Sequence, residues 1–262
     1  MQPNWLHFSL LTIYFAYMKK FALIPARYDS SRFPGKLMKM LGEKTVIRHT
    51  YENTVATQLF DEVFVTTDSP IIFEEIVSHG GKAVMSKKEH ESGSDRIAEA
   101  IADMDVDIVL NVQGDEPFVQ KEPLQKLLQV FEGEDGKKVQ VASLMRRFTD
   151  LELVQEPSNV KVVVDLNYNS LLFSRSPIPY PRDNSFDISY YHHIGVYAFR
   201  KQALMNFTNW EITPLEAAEK IECLRYLEHG IPLKMVLVDA MGIGIDTPED
   251  LERAKQKLSE LK

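Results

Sequence analysis

Two hydrophobic periods alternate along the first half of the chain. Residues 21–24, 62–66, 82–85 and 108–112 are short apolar or alternating runs of the kind that form buried strands. Residues 46–56, 71–79 and 94–103 carry helix-spaced apolar positions between them. Thr67, Asp68, Ser69 and Pro70 form a turn and cap the second of these helices, and Gly80-Gly81 ends it. Strands alternating with helices predict an α/β fold with a mostly parallel central sheet and helices on both faces.

From residue 139 the texture changes. Residues 139–146, 160–165 and 170–174 are β-prone runs joined by Asn, Asp and Pro turns, and residues 176–187 form a proline-rich, polar arm. This pattern predicts a smaller β-rich part over about 140–200. Residues 210–228 return to helix and 234–238 to strand. A last helix starts with Thr247 as N-cap, Pro248 at N1, and Glu249 and Asp250 in its first turn.

Composition narrows the function. The 262 residues suffice for one large α/β domain, and 44% hydrophobic with 26% charged residues is ordinary for a soluble globular protein. The formal net charge of −8 argues against a polynucleotide partner, which would ask for a basic footprint. The one cysteine, Cys223, excludes an internal disulfide framework and a cysteine-rich zinc site, and fits a reducing compartment. The apolar run in residues 8–17 is shorter than the roughly 20 residues that cross a bilayer. Its charges, Lys19 and Lys20, follow it rather than precede it, unlike a signal peptide. Residues 1–17 are therefore read as an extension outside the core, an upstream-start artefact, with a membrane-proximal segment as the rival reading. The domain is expected to run over 18–262.

Three loops carry candidate chemistry. The first strand empties into a stretch from Leu23 to Lys36 containing Arg27, Ser30, Ser31, Arg32, Gly35 and Lys36. Backbone N–H groups, hydroxyls and three cations concentrated at a strand end can cradle a polyphosphate. The spacing is not that of a Walker A loop, and a solvated basic loop is the plain alternative. The run at 108–112 leads into Gln113-Gly114-Asp115-Glu116-Pro117. It presents Asp115 at the C-terminal tip of a strand, where ligands of open α/β sheets collect. A carboxylate facing phosphates there suits Mg²⁺, although an Asx turn would explain the same residues. Asp246, beside the last helix cap, is a second carboxylate of the same kind, or a simple structural neighbour of that cap.

Taken in order, the segments resemble the 3-deoxy-D-manno-octulosonate (Kdo) cytidylyltransferase family. The resemblance rests on Ile24 to Lys36, Ser92-Gly93-Ser94-Asp95-Arg96, Asn111 to Pro117, Phe173 to Pro179, His193 to Tyr197 and Gly244 to Leu251. It implies a nucleotide-diphospho-sugar transferase-like fold and transfer of CMP from CTP to the anomeric hydroxyl of Kdo. The products are CMP-Kdo, for lipopolysaccharide synthesis, and pyrophosphate, with no covalent enzyme intermediate. It further implies Mg²⁺ on Asp115 and Asp246, and a cytoplasmic homodimer assembled through the smaller half, with no nucleic-acid or membrane partner.

By the same resemblance, Arg27, Lys36, Asp115 and Asp246 are catalytic. Ala26, Arg27, Ser31, Lys36, Ser92, Gly93, Ser94 and Arg96 bind the nucleotide. Gln113, Arg175, His193, Tyr197 and Glu222 bind the acid sugar, with Arg175 on its carboxylate. One departure concerns the sugar. Cys223 stands where the family usually has glutamine, so if this position faces the sugar tail its hydroxyl contacts change. The alternatives are a cytidylyltransferase for another acid sugar, a glycosyltransferase of the same fold, and a non-catalytic nucleotide sensor.

Overall fold

The structure is a computed structural model, described here for residues 17–29, 33–90, 92–183, 188–239, 242 and 244–260. The N-terminal extension, apart from Tyr17, lies outside the described residues, as do Ser31 and Arg32 of the first loop.

The first half follows the expected alternation. It comprises β1 (Lys20–Ala26), the small hairpin β2 (Met40–Leu41) and β3 (Lys44–Thr45), α1 (Val46–Ala56), β4 (Glu62–Thr67), α2 (Pro70–Ser78), β5 (Ala83–Met85), α3 (Gly93–Ile101) and β6 (Ile108–Asn111). Strands β5, β4, β1 and β6 lie side by side and parallel. Strand β1 shows why: Phe21 and Leu23 enter the core on one face, Ala22 and Ile24 the core on the other. A strand covered on both faces needs an unbroken apolar run. The chain winds outward from β1 through β4 and β5, then returns to place β6 on the other side of β1. That reversal opens a crevice at the C-terminal ends of β1 and β6, where Arg27 and Asp115 lie.

The second half comprises α4 (Lys121–Gln129), single turns α5 (Gly133–Gly136) and α6 (Glu152–Gln155), β7 (Val141–Arg147), β8 (Lys161–Val164), β9 (Ser170–Ser174), β10 (Tyr191–Arg200), α7 (Lys201–Asn209), α8 (Pro214–Glu219), α9 (Leu224–Glu228), β11 (Lys234–Leu237) and α10 (Pro248–Glu260). Among the described residues one sheet runs β11-β7-β10-β6-β1-β4-β5, with β8 and β9 branching from β10. β10 is antiparallel to both β6 and β7. β7 is thus part of the main sheet, and only β8 and β9 stand apart as a flanking hairpin.

Two expectations need correction. Residues 210–228 are not one helix: Trp210 caps α7, and Lys220 takes a left-handed conformation (φ 54°) that separates α8 from α9. The ten-residue strand β10, which runs through the centre of the sheet, was not expected as a strand at all.

Candidate functional site

A cleft of about 590 Å³ opens at the β1/β6 crevice, lined among others by Arg27, Lys36, His90, Ser92, Gly93, Arg96, Asp115 and Asp246. Gly35, at φ 65°, turns the chain so that Lys36 starts a 3₁₀ turn pointing back at the strand tips. The Lys36 ammonium pairs with Asp115 and donates a 3.0 Å hydrogen bond to Asp246 Oδ1. Burial pulls its pKa down, but Asp115 and then Asp246 hold it above the ordinary lysine value.

Backbone contacts fix the two carboxylates relative to each other. The Ile245 N–H donates to the Asp115 carbonyl at 2.9 Å. The Asp250 carboxylate accepts from the N–H groups of Asp246 (3.0 Å) and Thr247 (2.9 Å), and the Asp250 N–H returns a 3.2 Å bond to Thr247 Oγ1. This reciprocal cap holds the start of α10. Gly114 lets β6 close on β1, since a Cβ there would lie 3.0 Å from the Pro25 carbonyl. Glu116 lies in the same cleft, and burial, then Asp115, pushes its carboxyl up to about 7.

The nucleotide candidates divide by depth. Arg27 is exposed and makes no contact with a described residue that would hold its guanidinium. Ser92 caps α3, its Oγ accepting from the Asp95 N–H at 3.1 Å. Gly93 presses on Pro25, where a Cβ would sit 3.2 Å from Pro25 Cγ. Arg96, in contrast, is buried beneath the loop. It donates to the Ala26 carbonyl at 2.9 Å and to Asp68 at 2.5 Å, while its Nε has no partner among the described residues. Arg96 therefore holds the end of β1 in place. His90 was missed: its buried ring lines the cleft with Nε2 2.9 Å from Glu99 Oε2. One histidine in a polar loop gives no sequence signal for that.

A second cleft of about 360 Å³ adjoins the first and shares Gly93, Gln113 and Glu222 with it. It gathers four of the five sugar candidates: Gln113, His193, Tyr197 and Glu222. Gln113 Nε2 donates to the Gly195 carbonyl at 2.9 Å, and the Ser94 hydroxyl to Glu222 at 3.1 Å. Burial pushes the Glu222 carboxyl and the Tyr197 phenol up. Burial, then His192, pulls the His193 imidazole down to about 3.

The fifth candidate departs from expectation. Arg175 does not line the cleft. Its guanidinium donates to the carbonyls of Glu219 (2.7 Å), Pro157 (2.9 Å) and Lys220 (3.3 Å), tying together the backbone behind the wall. Three of its five N–H donors are thus taken by carbonyls. Cys223 is also displaced from its conditional role. It is buried, lines neither cleft, and lies against Tyr197, with burial pushing its thiol pKa up.

With this geometry in hand, the comparisons are specific. The cytidylyltransferase family model matches residues 21–236. The chain is 60% identical over 244 residues to the 3-deoxy-manno-octulosonate cytidylyltransferase of Flavobacterium johnsoniae, covering 93% of this chain and 100% of the relative. The chain belongs to this family. The Escherichia coli relative of the same name is 40% identical over 242 residues, covering 92% of this chain and 97% of the relative. A solved structure of CMP:2-keto-3-deoxy-manno-octonic acid synthetase complexed with CTP superposes with a TM-score of 0.88 at 39% identity, covering 93% of this chain and all of that one. A 4-diphosphocytidyl-2C-methyl-D-erythritol synthase from Anaerococcus prevotii, 18% identical with a TM-score of 0.61 over 92% of this chain and 99% of its own, shares the fold.

Proposed function

We infer that this Kdo cytidylyltransferase transfers CMP from CTP to the anomeric hydroxyl of Kdo, releasing pyrophosphate. The observation that carries the reading is the pair of joined clefts, one lined by Arg27, Lys36, Asp115 and Asp246 and one by Gln113, His193, Tyr197 and Glu222, meeting at Gln113 and Glu222. The sugar oxygen forms a bond to the α-phosphorus as the bond to the β-phosphate oxygen breaks, and the hydroxyl proton leaves to solvent. Arg27 and Lys36 neutralise triphosphate oxygens, the arginine as a fork and the lysine as a point charge. Ser92 and Gly93 bring the N-terminus of α3 close to the nucleotide, with Arg96 holding the loop they face. Gln113, His193, Tyr197 and Glu222 orient the sugar so that its hydroxyl meets the phosphorus.

Asp115 and Asp246 fit a Mg²⁺ ion. Both already face one cation, the Lys36 ammonium, and hard carboxylate oxygens together with phosphate oxygens suit this metal. Bound there, Mg²⁺ would supply charge neutralisation at the phosphates and a lower pKa for the attacking hydroxyl.

We place the reaction in the cytoplasm, alongside the CTP supply and upstream of lipopolysaccharide assembly, and read the enzyme as a homodimer. Two features support a dimer through the flanking hairpin. Among the described residues β9 forms a ladder with β8 alone, its start being tied to Leu233 by the Ser170 N–H, and it exposes Leu171 (62%) and Leu172 (37%). Among the described residues no helix is long and apolar enough to cross a membrane.

The test is a pyrophosphate-release assay with CTP and Kdo, each also omitted in turn, repeated with other acid sugars. Release that needs both substrates, with CMP-Kdo found by mass spectrometry, is the expected result. Release with an amino-substituted or sialic-type sugar but not with Kdo would overturn the substrate assignment.

A further inference from the structure

His193 and Tyr197 flank an irregularity in β10, with their ring centroids 5.5 Å apart. The pairing of β10 with β7 shows what it is. Ile194 lies opposite Leu144, and the next pair is Tyr197 with Ser143, so Gly195 and Val196 have no counterpart on β7. This is a bulge, and bulges re-aim side chains.

The carbonyls of the bulge need donors, and side chains supply them. Gln113 serves Gly195 at 2.9 Å. The hydroxyl of Ser143, a fully buried residue, lies 3.0 Å from the Ile194 carbonyl and 2.9 Å from the Val196 carbonyl. The same oxygen lies 3.0 Å from His193 Nε2.

Proton counting favours one imidazole tautomer. A serine hydroxyl has one hydrogen, and the two carbonyls accept only. With Nε2 as an acceptor three groups would compete for that hydrogen; with Nε2–H donating to the serine oxygen, the hydrogen is left for a carbonyl and one more hydrogen bond is made. Burial keeps the ring neutral, which leaves the lone pair on Nδ1. Nδ1 makes no hydrogen bond to a described residue, and the ring lines the sugar cleft.

We propose that Ser143 is a positioning residue for the acid sugar: its hydroxyl holds His193 in the Nε2–H tautomer, so that Nδ1 is presented as an acceptor to a sugar hydroxyl. The proposal rests on the assignment of the smaller cleft to the sugar. It gives that cleft a stated preference, for a substrate that donates a hydrogen bond at this point.

The test is nitrogen and carbon NMR of the full-length enzyme with labelled histidine, with the His193 signals identified by their loss in His193→Gln. The parent enzyme should show the Nε2–H tautomer at neutral pH. The Nδ1–H tautomer or an imidazolium would overturn the proposal, whatever any variant does. Ser143→Ala should release the tautomer preference and raise the sugar KM by roughly tenfold, the effect of one lost hydrogen bond, while changing the CTP KM less than about twofold on the same reasoning. Ser143→Thr, which keeps the hydroxyl, should recover most of the loss. Melting curves show whether each variant folds, and the parent tautomer decides the matter if Ser143→Ala does not. An unmoved tautomer in folded Ser143→Ala overturns the proposal and leaves the sugar cleft standing. A moved tautomer with an unchanged sugar KM overturns the proposal together with the assignment of the cleft.

Discussion

Asp246 accepts a hydrogen bond from Lys36, a residue 210 positions earlier in the chain, at 3.0 Å. The contact joins the start of the last helix to the loop after the first strand, with Asp115 as the third member. Replacing either carboxylate by its amide keeps the shape and removes the charge. Asp115→Asn and Asp246→Asn should each fold as the parent does and lose on the order of 100-fold in kcat. Steady-state rates across a Mg²⁺ titration check this, and near-parental turnover at modest Mg²⁺ would remove the two residues from the metal assignment.

Arg96 makes two directional contacts from a buried position, to the Ala26 carbonyl and to Asp68. Lysine keeps the charge but not the fork. Arg96→Lys should lower unfolding stability by about 2 kcal/mol and raise the CTP KM more than the sugar KM, because the end of β1 loosens. Equal changes for both substrates would separate this arginine from the nucleotide.

Arg175 spends its guanidinium on three carbonyls behind the sugar cleft. Arg175→Lys should therefore act first on stability, by about 2 kcal/mol, with any loss in sugar use accompanying it. Denaturant unfolding alongside substrate titrations separates the outcomes. A selective loss of sugar use at parental stability would return Arg175 to direct contact with the sugar carboxylate.

The paired histidines predict an acid-side stability loss. Burial, with Arg146 and Lys161, pulls His192 from 6.5 down to about 4, and burial, with His192, pulls His193 from 6.5 to about 3. Below pH 6.5 the unfolded chain takes up protons on both rings while the folded chain does not. Stability is thus full above 6.5 and falls as the pH drops from there, toward 4 for His192 and toward 3 for His193. His193 alone should contribute a loss of about 2 kcal/mol near pH 5. Urea unfolding at neutral pH and near pH 5 measures it, and His193→Gln should flatten the difference. An equally steep dependence in that variant would assign the loss to other groups.

Much of the first half was legible because its physics is local. The run at 108–112 and the glycine after it predict β6 and the presentation of Asp115, and Thr247-Pro248 predicts the start of α10. β10 was hidden because Tyr191–Arg200 mixes polar and apolar residues and carries a bulge, which breaks the period-two pattern that marks a strand. The break at Lys220 was hidden because nothing in lysine's type announces a left-handed turn. Four sugar candidates do share one cleft, but the commitment of Arg175 to backbone carbonyls depends on partners near and far in sequence. Ser143 sits in an apolar run, Val141-Ala142-Ser143-Leu144-Met145, where a serine reads as filler.

The course of β10 also bears on how the two clefts are joined. Tyr197 to Arg200 lie in register with β6, Tyr197 opposite Asn111 at the tip that leads to Asp115, while Tyr191 and His192 pair with β8. Between them lies the bulge, Gly195 and Val196, which have no counterpart on β7. One strand is thus anchored to the metal-side strand by its second half and lends the smaller cleft His193 by its first, so a change confined to the bulge re-aims that ring while the rungs to β6 stay in place.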